Sequence, residues 1–262
     1  MLSHRIISAI VLIPIVACAV YAGGWWLLAV LAVAGILAAL EFYQMMRQGG
    51  FRPSPIIGLP LVLALLLDAH DPSWGIARPA VALFIILAFV WHLVQKDDSI
   101  PAVNWALTVM GALYLGWFMG HFLLLRALPQ GLQWTIVAFL ITWISDSGAY
   151  FVGRAIGRHK LWPRISPKKS WEGSIAGLIT GVLGGILISG PLGLPAMHGA
   201  AIGALIPLIT PWGDFAISMI KRQVGVKDSG NIIPGHGGML DRVDSLLFSA
   251  VIVYYYVTWV VK

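Results

Sequence analysis

Apolar residues fill long stretches of this chain, and polar residues are confined to the short gaps between them. A membrane-spanning helix needs about 20 mostly apolar residues. Nine stretches approach that length: about 5–22, 25–46, 55–69, 78–95, 102–127, 132–152, 171–190, 197–221 and 239–261. The third is short and carries Pro60, and the fifth contains Gly111, Gly116, Gly120 and His121. The runs are too long for a transmembrane β-barrel and do not alternate as its strands would. The pattern predicts an all-α polytopic membrane helical bundle of about nine transmembrane helices. Residues 1–130 read as scaffold and 131–262 as the half with the chemically dense loops, together forming one integral membrane domain.

Composition sharpens this. Of 262 residues, 59% are hydrophobic and only 11% charged, against about 25% charged in ordinary soluble domains. Mean hydropathy is +0.86. With the N-terminus cytoplasmic, 14 of the 17 Lys and Arg fall on the cytoplasmic side, leaving only Arg78, Arg126 and Lys262 opposite. The odd helix count then places the C-terminus outside. The net charge of +6 sits in loops beside helices, which suits lipid headgroups and phosphate ligands, not nucleic acid. The single Cys18 excludes an intrachain disulfide and a cysteine metal site. The first 23 residues have the look of a signal peptide, with Ala17-Cys18-Ala19 as a cleavage-like tripeptide, but the topology calls for a retained first helix. Small residues in 181–190 and 200–208 permit close helix approach, either inside the bundle or across a homodimer.

The polar residues inside this pattern carry the chemistry. Ser218–Asp244 holds Lys221, Arg222, Lys227 and Arg242, the carboxylates Asp228, Asp241 and Asp244, and His236 between glycines. Charge of both signs at the edge of hydrocarbon is costly unless it binds something. Carboxylates suit a hard divalent cation, and cations with glycine amides suit phosphate. Asp214, Ser218 and Lys221 fall at i, i+4 and i+7 on one helical stripe, and Asp241 and Asp244 share a face across the same loop. Asp214, Asp241 and Asp244 are therefore candidate Mg²⁺ ligands, with Asp146 a fourth ligand or a partner to them and a second cation left open. Asp146 shares a polar stripe with Thr142 and Tyr150. The basic loop 153–173 offers Lys168, Lys169 and the helix-capping Ser170 as a phosphate cradle, with Glu172 suited to the positive end of the next helix. Glu41 reads as an interfacial residue or a partner for a loop cation. Asp68, Asp71, Asp97 and Asp98 read as solvated.

Ser218–Asp244 resembles the signature of the phosphatidate cytidylyltransferases, also called CDP-diacylglycerol synthases. The resemblance lies in Ser218, Lys221-Arg222, Lys227-Asp228, His236-Gly237-Gly238 and Asp241-Arg242-x-Asp244, and it extends back to about Asp146 in the Asp-x-x-Ala-Tyr stretch. It implies CTP and phosphatidic acid as substrates, CDP-diacylglycerol and pyrophosphate as products, and an active site on the cytoplasmic side of the inner membrane. The catalytic set it implies is Asp214, Ser218, Lys221, Arg222, Lys227, Asp228, His236, Asp241 and Asp244. A lipid phosphate oxygen attacking the α-phosphorus needs positioning and charge neutralisation more than a base. Two other classes compete: another CTP-using lipid kinase or transferase, and an ion-coupled membrane transporter. The Asp-Gly-x-x-Ala-Arg motif of CDP-alcohol phosphotransferases is not in the chain. A transporter would hold its carboxylates near the midplane, whereas these lie near helix ends.

Overall fold

The computed structural model describes residues 2–233 and 237–261, with side chains from residue 10 onward. The apolar runs are helices: α1 (Leu2–Ala22), α2 (Gly24–Gln48), α3 (Pro55–His70), α4 (Ala77–Val94) and α5 (Pro101–Ala112). A π-helical turn, Leu113–Trp117, carries α5 into α6 (Phe118–Ala127). α7 (Gly131–Ile156), α8 (Trp171–Ser189), α9 (Ala196–Gln223) and α10 (Leu240–Tyr256) follow, the last ending in a π-helical turn, Val257–Val261. Part of the stretch read as a basic loop is regular structure. It folds into an antiparallel hairpin of β1 (Lys160–Trp162) and β2 (Ser166–Ser170), pairing Lys160 with Ser170.

Among the described residues, seven of the nine expected spans are long and apolar enough to cross a membrane. Of the other two, the described apolar part of α1 is Ile10–Ala22, and the third is the short Pro55–His70. α3 has 16 residues between Ser54 and Asp71, about 24 Å at 1.5 Å per residue, less than the hydrocarbon thickness of about 30 Å.

The chain forms two compact units. One comprises Met1–Leu124 with Lys221–Val243, and the other Leu125–Ile220 with Asp244–Lys262. In the first, the buried residues Leu27, Leu31, Gly35, Ala38, Phe42 and Met45 of α2 recur every three or four positions. Trp26, Val33 and Leu40 recur every seven on the opposite, exposed face, as a lipid-facing stripe should. The glycines inside the fifth span are contact points. A Cβ on Gly111 would lie 2.5 Å from Phe42 Cε1, and one on Gly120 2.9 Å from Ala69 Cβ.

In the second unit, α7 and α8 pack through small residues. A Cβ on Gly177 would stand 3.1 Å from the Ser145 carbonyl oxygen. α8 and α9 meet backbone to backbone: a Cβ on Gly181 would strike the Gly203 carbonyl, and one on Gly185 the Gly199 carbonyl. The small-residue faces of 181–190 and 200–208 are thus used inside the chain.

Candidate functional site

In the second unit, Asp214 of α9 accepts the Ser218 hydroxyl at 3.0 Å, the i, i+4 contact that the stripe predicts. Its other oxygen is 2.6 Å from Lys169 Nζ, at the end of β2. Lys169 also lies 4.5 Å over the Phe215 ring, an attraction between ammonium and π-face. Trp162 of β1, Trp212 and Phe215 cluster with ring centroids 6.0–6.4 Å apart, so aromatic packing fixes the hairpin that presents Lys169. Asp146 of α7 is within electrostatic reach of both Lys169 and Asp214. Two carboxylates and one ammonium therefore share one neighbourhood.

The hairpin is held to α8 by capping. The Ser170 hydroxyl accepts the Gly173 N–H at 3.2 Å, as its position before the helix predicts. Glu172 accepts the His159 backbone N–H at 3.1 Å and lies 2.7 Å from His159 Nδ1. Lys168 is exposed on the same strand. On the Asp146 stripe, the Thr142 hydroxyl turns back to the Ala138 carbonyl at 2.7 Å, and the Tyr150 hydroxyl accepts from Arg154 at 3.1 Å. The buried Asp244 accepts the Ser245 N–H at 2.7 Å.

In the first unit, Lys221 Nζ donates to Asp241 Oδ1 at 2.6 Å, and both side chains are nearly withdrawn from water. Removing an ion pair from water is costly unless hydrogen bonds complete it. Here Ser229 completes it: its N–H and its hydroxyl lie 2.9 and 3.0 Å from Asp241 Oδ2. The same hydroxyl lies 3.1 Å from Glu41 Oε2, so one proton serves two carboxylates.

Glu41 corrects the sequence reading. It is 1% exposed, and among the described residues it pairs with no loop cation. Its carboxylate accepts the Met239 and Leu240 N–H groups, each at 2.9 Å, at the start of α10. A negative charge suits that helix end. Gly230 and Gly238 make room for it: a Cβ on Gly230 would sit 2.7 Å from Glu41 Oε1, and one on Gly238 would meet Oε2. Ser229 was not among the sequence candidates. The available signal was Glu41 itself, a carboxylate inside the apolar run of α2.

Arg222, Lys227, Asp228 and Arg242 are exposed, and among the described residues Arg222 reaches the Val226 carbonyl, at 3.4 Å. His236 lies outside the described residues; Ile233 and Gly237, on either side of it, are joined by an N–H to carbonyl bond of 3.0 Å. Among the described residues, no three His, Cys, Asp or Glu side chains gather closely enough to hold a metal. Mg²⁺ needs only one or two protein carboxylates, with water and substrate phosphate completing its shell, so the electrostatically coupled Asp214 and Asp146 are the pair that would hold it.

The chain matches the profile of the cytidylyltransferase family over residues 3–260. It is 34% identical to a phosphatidate cytidylyltransferase of Synechocystis sp., covering 97% of this chain and 96% of that protein. It is also 34% identical to the phosphatidate cytidylyltransferase of Bacillus subtilis, over 84% of each chain. Against that of Staphylococcus aureus the identity is 32%, over 93% of this chain and 92% of the relative.

Proposed function

The chain belongs to the cytidylyltransferase family, and we infer from that membership that it is an integral membrane nucleotidyltransferase. It transfers CMP from CTP to phosphatidic acid, giving CDP-diacylglycerol and pyrophosphate in phospholipid biosynthesis.

The reaction forms a bond between a phosphatidate oxygen and the α-phosphorus of CTP and breaks the bond to pyrophosphate. The attacking oxygen is already anionic, so no base is needed, and the barrier falls by positioning and by neutralising charge. The observation that carries the residue assignment is the Lys221–Asp241 pair at 2.6 Å. It is a preorganised cation inside the stretch that also supplies Arg222 and Lys227 for phosphate. Lys169, held by Asp214 and Phe215, is the second fixed cation. Asp228, Ser218 and His236 belong to the same signature, and Lys168 and Ser170 extend the cradle. Asp214 and Asp146 would hold Mg²⁺, with Asp244 as a further candidate ligand, while Asp241 is engaged by Lys221 and Ser229. The ion, when bound, supplies positive charge to the phosphates being joined and separated.

The bias of Lys and Arg supports an N-terminus and an active site facing the cytoplasm, with the inner or cytoplasmic membrane as the location. A homodimer would need a surface other than the Gly181, Gly184 and Gly185 face, which is engaged within the chain.

The test is Asp214→Asn and Asp241→Asn, each measured for turnover and for the Mg²⁺ dependence of CTP binding. Both should lose most turnover while inserting normally, and Asp214→Asn should shift the Mg²⁺ midpoint upward. Near-normal turnover in both variants, or unchanged midpoints, would overturn the assignment.

A further inference from the structure

A second polar assembly in the first unit takes no part in the site above. A pocket of about 560 Å³ opens where α2 ends, α3 begins and α4 ends. Arg47, Arg52, Ser54, Trp91, His92 and Asp98 line it, among others. Among the described residues neither arginine is paired with a carboxylate. Arg47 reaches the Pro53 carbonyl at 3.5 Å, and Arg52 the Asp97 carbonyl at 3.0 Å, so most of their donors remain available.

The carboxylate in the wall is already committed. Asp98, which the sequence reading left in solvent, has a side chain only 3% exposed. One oxygen lies 2.7 Å from His92 Nδ1; the other accepts from Asn104 at 2.6 Å and from the Ile100 N–H at 3.2 Å. Desolvation works against the charge, but the bonds from His92, Asn104 and Ile100 outweigh it and hold the carboxyl below its ordinary range. The network continues rigidly through His92 and Thr108 to the Ser54 N–H. Ser54 is itself 4% exposed, yet among the described residues its hydroxyl has no hydrogen-bond partner. A buried hydroxyl without a partner marks a place where something else completes the structure.

The surroundings identify what that is. Ile56 at the pocket, and Val90, Leu93 and Val94 along the same end of α4, are large apolar side chains exposed on the surface. The cavity therefore joins a cationic recess to a surface suited to acyl chains. Basic pockets between transmembrane helices favour anionic lipid headgroups, and Arg forks match phosphate geometry.

We propose that this pocket binds the phosphodiester headgroup of an anionic phospholipid, with its acyl chains along the exposed face of α3 and α4. The site uses Arg47 and Arg52 and none of the residues assigned to the transfer reaction, so it is a lipid site additional to the substrate site.

The experiment uses the full chain purified in a neutral detergent, with bound lipid counted by native mass spectrometry. The probe is phosphatidylglycerol, which has a phosphodiester and is not the substrate. Wild type should retain one phosphatidylglycerol in preference to phosphatidylcholine. Arg47→Gln combined with Arg52→Gln should weaken retention by about tenfold or more, corresponding to about 1.4 kcal/mol. Gln95→Glu adds a negative charge at the pocket wall without removing a contact that holds the fold. It should weaken retention in the same direction, and CTP-dependent turnover in detergent should persist in both variants. Equal retention of phosphatidylglycerol in wild type and both variants, or equal retention of phosphatidylcholine, would overturn the proposal. Displacement of the lipid by millimolar inorganic phosphate would reassign the pocket to a soluble anion and refute the lipid.

Discussion

The carboxylate of Glu41 accepts the backbone N–H of Leu240 at 2.9 Å, joining residues 199 positions apart. Through Ser229 the same carboxylate reaches Asp241, which in turn holds Lys221. Glu41 thus positions the signature stretch without being part of it. Glu41→Gln keeps the shape but turns one acceptor into a donor facing N–H groups. A buried polar group left unsatisfied costs about 1–3 kcal/mol. Turnover should fall by about tenfold or more, with a smaller change in the KM for CTP, and Glu41→Asp should not restore it, because its carboxylate is one methylene short. Wild-type turnover and melting temperature in Glu41→Gln would remove Glu41 from the account.

Lys221 and the hairpin lysines should separate kinetically. Lys221, fixed by Asp241, is placed to stabilise charge that grows as pyrophosphate leaves. Lys221→Met should reduce kcat by about 10²–10³ while CTP binding changes little. Lys168→Ala, at an exposed position, should chiefly raise KM. Steady-state kinetics varying CTP and phosphatidic acid in turn makes the comparison, with thermal melting alongside to register the unpaired Asp241. An unchanged kcat in Lys221→Met, with a raised KM for phosphatidic acid, would move Lys221 to the lipid side.

The α8–α9 contact predicts a packing effect far from chemistry. Gly185→Val places a branched side chain against the Gly199 carbonyl, which must move. Overpacking of this kind costs about 1–3 kcal/mol. The melting temperature should drop, whereas Gly190→Val, where a Cβ meets nothing within 4 Å, should leave it nearly unchanged. Equal melting of the two variants would contradict the packing.

Hydropathy made the helices legible, because each spanning run must satisfy its own backbone in lipid. Local spacing also made the Ser218–Asp214 contact and the Ser170 cap legible, since both lie within one helical turn. What the chain does not reveal locally is which cation each carboxylate takes. Asp214 goes to Lys169 and Asp241 to Lys221, pairings 45 and 20 residues apart that depend on how the elements pack. Glu41 was legible only as an odd carboxylate, because its partners are amides at the far end of the chain. The hairpin was hidden because Pro163 and Pro167 read as loop residues, although a proline is tolerated in an edge strand. Asp98 read as solvated because it sits among polar loop residues, while the histidine that buries it comes from the helix before.

Orientation rests on charge and has its own test. In a Cys18→Ser background, Lys168→Cys and Lys227→Cys occupy exposed positions in the two basic loops, and Ser73→Cys lies in the exposed turn after α3. Only Ser73→Cys should react with an impermeant thiol reagent applied to intact cells. Labelling of both loop positions from outside would reverse the topology.

The most direct measurement follows the phosphorus. Purified protein is given phosphatidic acid, Mg²⁺ and CTP labelled at either the α- or the γ-phosphate, and the lipid is extracted. Label from the α-position should appear in CDP-diacylglycerol, and label from the γ-position should leave as pyrophosphate. Transfer of γ-label to lipid would make the protein a kinase, and no labelled lipid from either CTP would contradict nucleotidyl transfer altogether.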